Sequence, residues 1–282
     1  MQIFVLVALS MIAFAANSVL TRVGVATFGL DPMVFAAIRI GAGALTLAIV
    51  VRARGGNPLF NIKGYWRGAL ALGVYVVGFS WAYQSLDAGL GALILFGSLQ
   101  VMMFGWAVWK GQSIPTARWI GVMLACVGLG ILLWPSDHAQ LPFWGTVAML
   151  VATAGWAAYT ILGQSARDPL AYTTANFILC FPVVAVIGIV SLPVEINAGG
   201  LVTATASGAV TSGLGYMLWY RVLPKLATTT AAVSQLSVPV IAVGFGAILL
   251  GEIITFKMII ASVLVLGGIA FANVSAAPAR HK

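Results

Sequence analysis

The sequence predicts an all-α integral membrane protein of ten transmembrane helices, arranged as two inverted repeats of five. Three observations predict it: long unbroken apolar runs, basic residues confined to alternate loops, and an internal repeat at a near-constant offset.

The chain has 282 residues, of which 61% are hydrophobic and 7% charged. Soluble domains carry about 25% charged and about 45–50% apolar residues, so this composition calls for lipid as its solvent. A helix crosses the bilayer core with about 20 apolar residues. Spanning strands would alternate apolar and polar positions, which these runs do not. The expected spans are 2–21, 32–51, 65–86, 88–109, 116–134, 142–163, 170–191, 201–222, 227–250 and 256–275. Clusters rich in Pro, Gly and charge separate them, such as FGLDP (28–32), RARGGNP (52–58), PSDHAQLP (135–142) and LPVEINAGG (192–200). Pro ends helices because it lacks the N–H and crowds the preceding turn. Only Asp87 separates the third span from the fourth. AFAA (13–16) resembles a signal-peptidase site, but no Lys or Arg precedes the apolar run, so the first span is expected to remain a helix. Cys126 and Cys180 sit in apolar runs as small hydrophobes, outside any disulfide or zinc pattern.

The loops orient the chain. With the N-terminus in the cytoplasm, eleven Lys and Arg fall on the inner face and two, Arg22 and Lys257, on the outer one. An inner excess of this kind places both termini inside. It also accounts for the net charge of +8 without a nucleic-acid surface. All six acidic residues lie in loops or at span ends.

The repeat is read from spaced pairs. Asp31-Pro32 is followed by Arg39, and Asp168-Pro169, 137 residues on, is followed at the same spacing by Asn176. Tyr83-x-x-Leu86 recurs as Tyr220-x-x-Leu223 at the same offset, and Gly111-Gln112 recurs as Gly251-Glu252 at an offset of 140. The halves are 1–135 and 140–275, with 276–282 as a cytoplasmic tail. Five spans is an odd number, so the second half is inverted. Secondary transporters recur in this form, with the binding site near the midplane.

The segment YMLWYRVLPKLATTTAAVSQLSVPVIAVGFGAILLGEIIT (216–255), with ANSVLTR (16–22) and DPMVFAAIR (31–39), resembles the EamA-type carriers of the drug/metabolite transporter superfamily. The resemblance covers essentially the whole chain. It implies ten helices around a central cavity, a bacterial inner-membrane location, and export of amino acids or other small metabolites, with membrane lipid as the surroundings.

Candidate site residues follow. Arg39 is seven residues past Pro32, about 10 Å below the span end at 1.5 Å per residue. A central Arg faces a protein interior or a wet cavity. It is read either as the counter-charge of a substrate carboxylate or as a structural Arg, bonded to helix carbonyls or snorkelling outward. Tyr75, Phe79 and Tyr83 form an aromatic stripe, repeated by Tyr216 and Tyr220, with Trp156 and Tyr159 as a further pair. Such stripes line cavities or pack against lipid. Asn17, Ser98, Gln100, Asn176, Ser234 and Gln235 are polar residues inside spans, fit to bind substrate or to pin helices. Pro182 and Pro239 are expected to break helical hydrogen bonds within the seventh and ninth spans.

The candidate substrate-binding set is therefore Arg39, Tyr75, Phe79, Tyr83, Gln100, Trp156, Asn176, Tyr216, Tyr220 and Gln235. The sequence implies no cofactor, metal or catalytic residue. No span carries a deep acid or His for a proton relay or an embedded enzyme, and no P-loop is present. The reading is a secondary carrier exporting aromatic or apolar amino acids by alternating access. A lipophilic-drug exporter and a non-transporting helix bundle are the alternatives. Glu252, in LLGEIIT, is expected to be a turn residue beside Thr255, the cap of the tenth helix, with Lys257 as its surface partner.

Overall fold

The computed structural model describes residues 2–58, 62–112, 114–134, 142–163, 166, 168–191, 195–222, 225–226 and 234–275. These residues form helices and connecting turns, with no strand among them. Six helices are long and apolar enough to cross a membrane: Gln2–Thr27, Pro32–Ala53, Ala88–Trp109, Thr116–Leu133, Phe143–Gly163 and Pro169–Val190. The chain is a multi-pass all-α membrane protein.

Helix α1 (Gln2–Arg22) runs on into one wide π turn, Val23–Thr27. Helices α2 (Pro32–Ala53) and α7 (Pro169–Val190) start in the same way. Asp31 Oδ1 accepts from Met33 N (2.8 Å) and Val34 N (3.1 Å). Asp168 Oδ1 accepts from Leu170 N (3.0 Å) and Ala171 N (3.1 Å). Each Asp precedes a Pro, whose missing N–H costs nothing in the first turn, and together they satisfy N–H groups that lipid could not. Helix α3 (Trp66–Ala82) stops short of the expected residue 86, because Tyr83–Asp87 forms a tight corner into α4 (Ala88–Trp109). Helices α5 (Thr116–Leu133) and α6 (Phe143–Gly163) match their expected spans.

The eighth span is not one regular helix. It is α8 (Ala198–Ala206), a π segment Ser207–Leu214, and α9 (Gly215–Val222). The π segment lies against α2 so closely that a Cβ on Gly208 would sit 2.1 Å from the Arg39 carbonyl oxygen. Helix α10 begins at Ser237 and ends at Leu250, shorter than the expected 227–250; residues 227–233 lie outside the described set. Pro239 thus falls in its first turn, where it breaks no helical hydrogen bond, whereas Pro182 lies inside α7. Gly251 closes α10 in the left-handed conformation (φ 67°), as Gly111 follows α4 (φ 68°). Helix α11 (Phe256–Ser275) completes the described chain.

Packing pairs α2 with α7, α4 with α10 and α5 with α11, while α3 lies on α6 and α1 on the π segment and α9. The α5–α11 seam is glycine-made. A Cβ on Gly268 would sit 2.6 Å from the Gly121 carbonyl oxygen, and one on Gly128 would sit 3.0 Å from that of Ala261. Small residues let helix backbones approach where lipid provides no hydrophobic drive between helices.

Gly268→Leu is expected to lower the thermal midpoint in detergent, since overpacking costs about 1–3 kcal/mol. Gly267→Leu, whose Cβ would meet nothing within 4 Å, should leave it unchanged. Size-exclusion after a heating series separates the two. Equal loss at both positions would refute the seam.

Candidate functional site

Six helical segments converge on a central cavity. Helix α1 supplies Phe14, Asn17 and Ser18; α3 supplies Tyr75 and Phe79; α4 supplies Leu95 and Phe96; α6 supplies Trp156. Thr211 of the π segment and Tyr216 of α9 complete the wall. The rings form a chain of contacts: Phe79 to Tyr75 (5.2 Å between centroids), Tyr75 to Trp156 (4.9 Å), Trp156 to Tyr216 (5.4 Å) and Tyr216 to Phe14 (5.6 Å). The free volume is about 20 Å³, room for about one water.

The polar part of the wall is a small network. Asn17 Oδ1 accepts from Ser207 Oγ (2.7 Å) and Thr211 Oγ1 (3.0 Å). Thr203, Ser207 and Thr211 stand four residues apart, so one helix face carries three hydroxyls. That spacing was readable, and with it Thr211; the expected set omitted it, together with Phe14, Ser18, Leu95 and Phe96.

Arg39 does not line the cavity. It is 1% exposed and lies behind Tyr75 and Phe79, its guanidinium carbon 5.3 Å and 5.0 Å from their ring centroids. Nε donates to Ser212 Oγ (3.0 Å) and Nη2 to the Tyr75 hydroxyl (3.2 Å). Nη1 is buried without a hydrogen-bond partner among the described residues. The one ion pair among those residues is Arg22–Asp87, so the Arg39 charge rests on neutral partners and ring faces. A guanidinium cannot give up its proton in a protein, and cation–π contacts supply about 0.5–2 kcal/mol each.

The other candidates divide. Tyr75, Phe79, Trp156 and Tyr216 line the cavity as the stripes suggest. Tyr83 does not: it is fully buried just beyond Phe79, its hydroxyl on the Ala88 carbonyl (3.3 Å). Gln100, one turn past Phe96 on α4, turns instead to a small separate cavity with Phe104, Arg118 and Ile269. Asn176 is buried beside the Tyr172 hydroxyl, both packed over Gly68. Gln235 is half-buried before α10 and is not one of the residues that line the cavity. The Tyr220 side chain lies outside the described residues. Ser98 pins helices, its hydroxyl 3.2 Å from Thr153 Oγ1 of α6.

A second space opens at the end of the bundle that carries the 83–87 and 251–255 turns. This vestibule of about 580 Å³ is lined by Arg22, Thr27, Asp87 and Glu252 among others. Glu252 is not the simple turn residue expected. Its carboxylate accepts from Ala88 N (2.6 Å) and Gly89 N (3.2 Å), capping α4 from a loop distant in sequence. Burial pushes its pKa above the usual carboxylate range, opposed by those two N–H groups; Asp87 adds to the rise and Arg22 counters it. Thr255 does cap α11, accepting from Met258 N (3.2 Å). Lys257 does not pair with Glu252: it donates to the Trp134 carbonyl at the end of α5.

The model of the EamA-like transporter family matches residues 143–274. An uncharacterized protein of Pseudomonas aeruginosa is 41% identical over 267 residues, covering 94% of this chain and 92% of its own. A Salmonella typhimurium protein named "Probable amino-acid metabolite efflux pump" is 24% identical over 276 residues, covering 93% and 91%. A solved crystal structure superposes with a TM-score of 0.68 at 15% identity, covering 98% of both chains, which shows a shared fold.

Tyr75→Phe should destabilise the protein by about 1.5–3 kcal/mol, the worth of a hydrogen bond to a buried charged group. In an Arg39→Leu background the same change should cost little, as thermal unfolding in detergent would show. Equal costs in both backgrounds would mean that the hydroxyl does not serve the guanidinium.

Proposed function

The chain belongs to the EamA-like transporter family and is a multi-pass membrane transporter; from that premise we propose that it exports aromatic or apolar amino acids through the central cavity. The observation that carries this reading is a buried cation without an anionic partner among the described residues, set behind the aromatic wall of that cavity. A zwitterionic substrate supplies what the site lacks. Its carboxylate neutralises Arg39, whose Nη1 holds donor capacity in reserve, and its side chain stacks among Tyr75, Trp156, Tyr216 and Phe14. Guanidinium–carboxylate pairs are strong and directional. The name of the Salmonella typhimurium relative agrees with amino-acid cargo. Cationic drugs fit less well, because a fixed positive charge and no deep acid would repel them.

A volume of about 20 Å³ holds no amino acid, so this is a closed form and loading requires the wall to part. Tyr75 and Phe79 stand between the cavity and Arg39, and their movement exposes the guanidinium as the cavity widens. The driving force is the substrate's own gradient, by facilitated diffusion or exchange, without a carboxylate proton relay.

The fold is read as ten transmembrane helices in two inverted repeats, 1–135 and 140–275. The matched caps of α2 and α7 support it, as do the left-handed Gly111 and Gly251. So does the α5–α11 seam. At an offset of 140, Gly121 corresponds to Ala261 and Gly128 to Gly268. The contact of Gly121 with Gly268 then maps onto that of Ala261 with Gly128, as a two-fold axis requires. The family match at 143–274 spans one such half. The excess of Lys and Arg on the end opposite the vestibule supports reading that end as cytoplasmic, in a bacterial inner membrane, with the vestibule facing outward.

Purified protein in proteoliposomes is expected to take up labelled phenylalanine, with or without a pH gradient. Arg39→Ala should reduce uptake by about ten- to a hundredfold, the scale of a lost charged hydrogen-bond pair, while staying monodisperse. Normal uptake by a monodisperse Arg39→Ala would remove the carboxylate role. Strict dependence on an imposed proton gradient would remove the uncoupled mechanism.

A further inference from the structure

The cavity wall carries a polar group that a carboxylate pairing with Arg39 leaves unused. Asn17 lines the cavity from α1 at 5% exposure, and its amide is held on one side only. Oδ1 accepts from the Ser207 and Thr211 hydroxyls, while Nδ2 makes no hydrogen bond among the described residues. Arg39 Nη1 is sealed off in that condition, whereas Asn17 Nδ2 is not. The end of the amide away from the hydroxyls is therefore the end that meets the cavity.

Proton accounting favours turning that amide over. Ser207 and Thr211 each hold one hydroxyl proton, and Nδ2 holds two. Thr211 Oγ1 lies 2.8 Å from the Ser207 carbonyl as well as 3.0 Å from Asn17. A carbonyl only accepts, so the single Thr211 proton cannot serve both oxygens in full. With Oδ1 toward the hydroxyls, two of the four protons are used. A half-turn of the amide exchanges its oxygen and nitrogen and moves neither hydroxyl. Nδ2 then donates to Ser207 Oγ and Thr211 Oγ1, and Thr211 donates to the Ser207 carbonyl. Three protons are used, and only that of Ser207 is left over. The half-turn gains a bond within the wall and presents Oδ1, an acceptor, to the cavity.

We propose that Asn17 is the ammonium-recognising residue of the cavity: with its amide turned, Oδ1 accepts from the α-ammonium group of an amino acid whose carboxylate pairs with Arg39. This rests on reading the cavity as an amino-acid site, and it adds the group that selects amino acids over simple carboxylic acids.

The surroundings suit a cation. Phe14, Tyr75, Trp156 and Tyr216 share the wall with Asn17, and aromatic rings attract an ammonium to their faces. The fixed charge of Arg39 orients a zwitterion, drawing its carboxylate and repelling its amine. Both poles are anchored by one stretch of backbone. Thr211 of the π segment holds Asn17, and the next residue, Ser212, holds Arg39. The ammonium and carboxylate of an α-amino acid likewise share one carbon. A neutral amide also meets the amine without titrating, so recognition stays uncoupled from proton movement.

The test compares two ligands that differ in the ammonium alone. Purified full-length protein in detergent is given labelled phenylalanine, which is displaced by unlabelled phenylalanine or by 3-phenylpropionate, the same ring and carboxylate without the amine. Phenylalanine should compete at least about tenfold more tightly, the worth of one hydrogen bond to a charged group. Asn17→Leu should bring the two within about twofold by weakening phenylalanine and sparing 3-phenylpropionate. Thr211→Val, close in shape and milder, removes the bond by which the turned amide is preferred, and should lower the ratio about two- to tenfold. If Asn17 only tied α1 to the π segment, both ligands would weaken alike. An unchanged ratio in either folded variant thus overturns the proposal. Equal competition by the two compounds in the unaltered chain overturns it equally, whether or not the variants fold, and leaves the cavity's carriage of aromatic carboxylates standing. Phenylalanine that does not bind the unaltered chain at all overturns the amino-acid reading, and the role of Asn17 with it.

Discussion

A guanidinium buried to 1% exposure inside a lipid-solvated bundle sets the terms for its surroundings. Its charge is fixed, so the neighbours must bring oxygen and ring faces to it. Ser212 comes from a π segment whose wide turns move the hydroxyl toward α2, and π segments gather at functional sites for this kind of reason. Gly208 in that segment admits the Arg39 carbonyl at a distance no side chain would allow. Tyr75 and Phe79 both cover the guanidinium and wall the cavity. Cavity shape and charge burial are therefore one problem with one solution.

Helix ends pose the second constraint. In lipid an unsatisfied N–H has no water to turn to. Asp31 and Asp168 answer it locally, each within its own first turn. At α4 the local answer is missing, because Asp87 is occupied by Arg22, and a carboxylate from the far end of the chain fills the gap. A long-range cap joins two helices whose relative position matters, where a local cap would leave them independent.

Much of this was legible in the sequence. Apolar runs gave the helices, since lipid leaves backbone polar groups few ways to be satisfied. The Asp-Pro starts of α2 and α7 were readable because capping chemistry is local. The aromatic stripes at Tyr75/Phe79 and Tyr216, with Trp156, were readable because helical spacing fixes a face. What escaped notice depends on tertiary contact. Gln100 and Asn176 are polar at plausible depth, yet helix phase turns them elsewhere. Glu252 carried the right caution, being shallow and at an end, but no local pattern reveals that its oxygens reach Ala88 and Gly89. The break of the eighth span into a π segment also left no mark beyond its small residues and its run of hydroxyls.

The size of the cavity carries a consequence for the cell. A carrier spends part of every cycle with neither gate open, and in that state it must insulate as well as the lipid it displaces. A space of about 20 Å³ ringed by Tyr75, Phe79, Trp156, Tyr216 and Phe14 holds no continuous file of water. Through that space, protons and small ions then have no file of water to follow. The aromatic wall that would grip a substrate's side chain thus also keeps the resting protein from discharging the membrane potential.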